Sequence, residues 1–114
     1  LIGPFLPNRG DFLAQVGNFG SRKLSGALAP AFRRGTSLPL VAVTLPAFVP
    51  GVDFSDHRNF WAKDIPAVMY SDTAFYRNDN YHKDSDLPGT LDYARMAAAA
   101  DGLEAALRTL PPPK

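Results

Sequence analysis

The chain contains no cysteine, which excludes disulfides and thiolate zinc sites and leaves the redox compartment open. Any metal must therefore be held by histidine and carboxylate. Histidine is scarce, with only His57 and His82, and there is a single glutamate, Glu104. Glu104 lies in an Ala-rich segment four residues before Arg108, the spacing of a solvated ion pair on one helical face rather than of a general base. No block of like charge occurs and the net charge is +1, which argues against a nucleic-acid groove or an anionic membrane surface. Long hydrophobic runs are missing too. The longest apolar stretch, residues 38–49, is interrupted by Pro39 and Pro46 and falls short of the roughly 20 residues that span a bilayer.

What is present suits one small globular domain. A chain of 114 residues, 46% of them hydrophobic, buries a modest core. Eleven prolines and nine glycines gather between segments, which predicts long connections around few regular elements and function carried on loops. The first residue is Leu, with neither a basic leader nor a small-residue cleavage pattern, and the expectation is a chain cut from something longer.

Residues 1–11 read as an irregular lead-in. Phe12-Leu13-Ala14-Gln15-Val16 is an apolar run whose length fits a strand or one helical turn, with strand preferred. Ser21 is the expected N-cap of a helix through about Arg34, with Leu24, Ala27, Leu28, Ala31 and Phe32 as its apolar stripe, Pro30 as a kink and Gly35 as the stop. Leu40–Leu45 and Ile65–Tyr70 are the two firm strands, the first with the β-branched content of a strand covered on both faces. From Thr90 onward Tyr93, Met96, Ala97, Ala100, Leu103, Leu107 and Leu110 recur at helical spacing, and the run ends at Pro111-Pro112-Pro113. Helix, strand, strand, helix in this order predicts one end of an α/β/α sheet, with the long polar loop 71–88 at a strand's C-terminal end, where open α/β sheets place their sites.

Two polar clusters contain the histidines: Ser55-Asp56-His57 followed by Phe60, and Asp72-Thr73, Tyr76-Arg77-Asn78, Tyr81-His82 and Asp86. Together with Ile65-Pro66-Ala67-Val68-Met69 and Thr90-Leu91-Asp92-Tyr93, and with Gly10-Asp11-Phe12 and Val16-Gly17-Asn18 upstream, their order and spacing resemble metallopeptidase family 28. That family holds the dinuclear zinc aminopeptidases and carboxypeptidases to which the glutaminyl cyclases are related. The resemblance is to the family's C-terminal third and covers most of the chain. It implies an α/β fold, the C-terminal part of a three-layer α/β/α zinc-exopeptidase-like sandwich, with residues 1–114 as a partial domain.

The resemblance also implies roles for residues. His82, from the Tyr-His pair, matches a terminal zinc ligand, and Tyr81 matches a residue that lines the substrate pocket in some relatives. Asp86 matches a carboxylate after the ligand loop, where it would orient the imidazole, although it suits the N-cap of the last helix equally. Asp56 matches a cleft carboxylate that takes part in proton networks in the cyclase relatives; an Asx-turn is its other reading. For His57 a structural hydrogen bond is preferred to a ligand role. Arg77 and Asn78 would bind a substrate carboxylate or carbonyl, or pin the loop.

By the resemblance, the family's His-x-Asp, bridging Asp, Glu-Glu pair and next Asp ligand all precede the region that this sequence covers. A complete co-catalytic zinc site, which needs several converging ligands and a free carboxylate, is therefore not expected from this chain alone. The expectation is the C-terminal segment of a zinc-dependent aminopeptidase-like metallohydrolase acting on peptides, inactive by itself and binding zinc weakly if at all. A non-catalytic α/β binding or assembly module is the alternative. Many bacterial relatives are secreted or periplasmic. Two hydrophobic strands lacking outer layers predict a homo-oligomer, in which Ile65–Tyr70 or Leu40–Leu45 meets another copy.

Overall fold

The structure is a computed structural model that describes residues 9–111; the lead-in reading for residues 1–8 and the prolines at 112 and 113 lie outside the described residues. Three strands form one sheet: β1 (Leu13–Gly17), β2 (Leu40–Thr44) and β3 (Val68–Ser71), in the order β2-β1-β3. The chain between β1 and β2 is α1 (Arg22–Gly35), so β1, α1 and β2 make a βαβ unit with parallel strands, Leu13 opposite Leu40 and Val16 opposite Val43. A short α2 (His57–Trp61) precedes β3, and α3 (Tyr93–Leu107) closes the described chain. The molecule is mixed α/β, as its sequence predicts.

β1 is the central strand because it can be covered on both sides. Phe12, Ala14 and Val16 enter one apolar cluster with Val52, and are joined there by Val41, Val43, Trp61 and Met69. Leu13 turns to the other face, where Leu28, Ala29, Ala31 and Phe32 of α1 pack with Leu40 and with Ala106 of α3. Gln15 also faces α1, fully buried, in the middle of this apolar strand. Its amide donates to Ser25 Oγ at 2.6 Å and to Ser25 O at 3.1 Å, while its carbonyl accepts from the Tyr70 hydroxyl at 2.7 Å. One polar chain thus ties β3, β1 and α1, and satisfies groups whose burial would otherwise cost about 1–3 kcal/mol each.

Several sequence expectations are corrected. β2 and β3 are edge strands, half-buried rather than covered on both faces, because β1 takes the centre. β3 begins at Val68 instead of Ile65, which is half-exposed; the peptides before it are turned toward Trp61, whose indole donates to Ala67 O at 2.9 Å. Pro30 does not interrupt α1, since it sits on the exposed side. Ser21 flanks α1 without capping it by its side chain. It is fully buried, and its hydroxyl accepts from Trp61 Nε1 at 3.1 Å and from Ala67 N at 3.0 Å while bonding Asn18 Oδ1 at 2.8 Å.

The last helix turns its expected stripe the other way. α3 packs on α1 through Gly102 and Ala106 with Leu103 half-buried beside them, while Tyr93, Met96 and Leu107 are 58%, 51% and 62% exposed. The reason is close approach. A Cβ on Gly102 would stand 2.6 Å from the Phe32 ring, and one on Gly35 would collide with Ala105 Cβ, so small residues set the spacing and the bulky ones point outward. Asp92 is the N-cap of α3, accepting from Arg95 N at 3.1 Å. The cap reading of Asp86 therefore passes to Asp92, whose side chain meets the first free N–H groups of the helix.

Candidate functional site

β3 is antiparallel to β1, with Ser71 opposite Ala14. The loop that carries the second polar cluster consequently starts beside the N-terminal end of β1. It does not leave from the carboxyl ends of a parallel set, as the expectation for open sheets had it, because that rule applies to strands running the same way.

This loop is locally built. Ser71 Oγ accepts from Thr73 N at 2.9 Å and Asp72 Oδ1 from Ala74 N at 2.8 Å. Between them the chain takes two consecutive left-handed residues, Thr73 at φ 72° and Ala74 at φ 43°. A β-branched residue there is strained by of order 1–3 kcal/mol and needs surroundings that hold it. Arg77 supplies the hold. Its Nε donates to Thr73 Oγ1 at 2.5 Å, its Nη2 to Phe12 O at 3.1 Å, and the guanidinium lies 4.1 Å from the centre of the Phe12 ring. Burial lowers the Arg77 pKa from its ordinary value, and Asp72 and Asp11 oppose the shift.

Arg77 pins the loop through Nε and Nη2, while its buried Nη1 has no hydrogen-bond partner among the described residues and the residue lines the cavity described below. Asn78 also pins, accepting from Asn80 N at 2.9 Å. Beyond them Tyr81 and His82 stack at 4.0 Å and 13° between planes. Both are exposed, and His82 has a left-handed φ of 57°.

The first cluster divides differently. His57 is buried, its Nε2 donating to Val52 O at 2.6 Å and its ring edge-on to Trp61 at 4.5 Å, which is the structural hydrogen bond expected of it. The donor direction follows because a carbonyl oxygen only accepts. Asp56 is exposed at the N-cap position of α2, where its side chain makes no capping bond. Asp86 is exposed, its backbone N–H donating to Lys83 O at 3.0 Å.

The two loops meet over the sheet face opposite α1 and α3. Phe54 and Phe75 approach at 6.2 Å, Phe75 and Tyr81 at 5.9 Å, and Tyr76 Oη donates to Pro50 O at 3.4 Å. Between loops and sheet lies a cavity of about 840 Å³, floored by Phe12, Ala14, Val16, Val43 and Met69 and walled by Phe75, Tyr76, Arg77 and Tyr81. Tyr81 and Arg77 thus share one cavity, whereas Asp56, His82 and Asp86 do not line it; Ser55, next to Asp56, does. Among the described residues no three His, Cys, Asp or Glu side chains come together as a group able to hold a metal ion. The residues here do not by themselves fit a metal centre. The aromatic wall at Phe54 and Phe75 was missed in the sequence, where only the tandem Phe75-Tyr76 in a polar loop signalled it.

An Escherichia coli (strain K12) protein described as uncharacterized protein YfbL is 43% identical over 97 residues, covering 85% of this chain and 30% of that protein. The chain therefore spans about 30% of the length of the curated relative it matches. No family model matches the chain, and no solved structure does.

Proposed function

We propose that the chain is the C-terminal segment of a zinc-dependent aminopeptidase-like metallohydrolase that releases N-terminal residues from peptides, and that it is inactive alone. The observation that carries this reading is the Tyr81–His82 pair, stacked and open to solvent on a loop braced by Arg77, with Tyr81 forming a wall of the apolar cavity. In the proposed protein His82 is a terminal zinc ligand, Tyr81 and Arg77 shape the pocket for the peptide, and Asp56 and Asp86 act on groups around the ligands. When bound, zinc would activate a water for attack on the peptide carbonyl. The remaining ligands and the general base come from outside this chain, and so does a second helix layer over the sheet face opposite α1 and α3, which completes a three-layer sandwich.

A non-catalytic α/β module is the second reading, favoured by the use of Arg77 Nε and Nη2 to hold the loop. Turnover of aminoacyl anilides separates the two. A longer protein containing this chain turns them over under the first reading and leaves them intact under the second, whereas the isolated chain is expected to show no zinc-dependent turnover. Chelator-sensitive hydrolysis by the pure chain would overturn the claim of inactivity.

A further inference from the structure

Arg77 is the one charged residue lining a cavity made mainly of apolar and aromatic side chains. A guanidinium carries five N–H donors and no acceptor. Nε and Nη2 are used on Thr73 Oγ1 and Phe12 O, but Nη1 is buried and has no hydrogen-bond partner among the described residues. Its charge is equally unmatched. Asp72 and Asp11 act on it from beyond ion-pair distance, since the ion pairs among the described residues are Arg95–Asp92 and Arg108–Glu104. A buried cationic donor left in this state calls for an acceptor, and a carboxylate matches its planar fork best. We propose that the cavity binds an apolar carboxylate, its anionic head on Arg77 Nη1 and its body between the floor at Phe12 and Val16 and the walls at Phe75 and Tyr81.

Size, charge and access agree on this class of ligand. A cavity of about 150 Å³ already holds a benzene ring, and ligand pockets of roughly 300–1,000 Å³ combine an apolar lining with a few placed polar groups. The 840 Å³ here therefore takes a body the size of an aromatic amino acid together with its head group. No carboxylate lines the cavity to receive a cation, and the fixed positive charge repels one. The head group reaches Nη1 past Gly10, which also lines the cavity and lies in an exposed bend before β1. A Cβ at Gly10 would stand 3.2 Å from Nη1, and its φ is not in the left-handed region that would call for glycine. On that side Nη1 is covered by bare backbone, which a ligand displaces without moving a side chain. The free C-terminal end of a short peptide and a simple aromatic acid share the required chemistry. The site uses no metal and stands apart from the zinc reading of His82, which does not line the cavity.

NMR titration of the purified, zinc-free chain tests the site without reference to turnover, so its outcome and that of the zinc reading are separable. The probes are N-acetylphenylalanine, phenylpropionate, and N-acetylphenylalanine amide, which keeps the body and lacks the charge. Both acids should bind, the amide about tenfold or more weakly than N-acetylphenylalanine, with shifts at Gly10, Phe12 and the Arg77 Nε–H and none at Met96 on the exposed side of α3. Tighter binding of N-acetylphenylalanine than of phenylpropionate assigns the site to a peptide C-terminus, and the reverse assigns it to a simple acid. Arg77→Lys, which keeps the charge and loses the fork, should weaken the acids about tenfold and leave the amide unchanged. Because Arg77 also holds the loop, the acid and amide are compared on the wild-type chain first. Equal affinity for acid and amide, no binding of either acid at millimolar concentration, or shifts centred outside the cavity would each overturn the proposal.

Discussion

Gln15 is the residue on which three elements depend. Replacing it with Leu keeps the volume but leaves the Tyr70 hydroxyl and the Ser25 groups without their partner. At about 1–3 kcal/mol for each buried group left unpaired, Gln15→Leu should lower unfolding free energy by about 2–4 kcal/mol in urea titrations. Tyr70→Phe, which leaves the buried Gln15 carbonyl without its donor, should cost about 1–3 kcal/mol. Tyr70 also predicts a pH effect. Burial pushes its pKa up from 10.0 to about 12, so the folded state favours the neutral phenol. This contribution is fully present below pH 10 and is lost as pH rises from 10 toward 12. Ultraviolet titration should show one of the four tyrosines ionising late, together with loss of the folded signal. A lone Gln inside an apolar strand was a readable hint of this network, but its partners lie 10 and 55 residues away and local pattern does not name them.

At the scale of elements, the β-branched and apolar runs marked all three strands and the helical spacing marked α1 and α3. Their faces and order were not legible. Which strand sits in the middle is decided by contacts between distant segments, and the stripe of α3 was misread because hydrophobic periodicity weights bulky residues above glycine and alanine. Gly102 tests that explanation. Ala is the better helix former by about 1 kcal/mol, yet its Cβ would stand 2.6 Å from the ring of Phe32, a side chain fully buried and stacked on Tyr70 at 5.7 Å. Overpacking at about 1–3 kcal/mol outweighs propensity, so Gly102→Ala should lower the melting temperature. An unchanged or higher melting temperature would show that α3 yields at this contact. The site loop was found by its residue pattern, whereas its strained turn at Thr73 and Ala74 and the bond from Arg77 to the Phe12 carbonyl just before β1 follow from an antiparallel β3, which the sequence does not declare.

For the described residues as a whole, one sheet face is packed by α1 and α3, and the other is covered by Trp61 of α2, Val52 and two loops around a cavity. The most direct measurement is the zinc content, by elemental analysis, of a longer protein containing this chain, compared with its His82→Ala variant at matched folding. The account predicts bound zinc in the first and a marked loss in the second, with aminoacyl anilide turnover falling alongside; no zinc in the parent protein, or equal zinc in both, would contradict it.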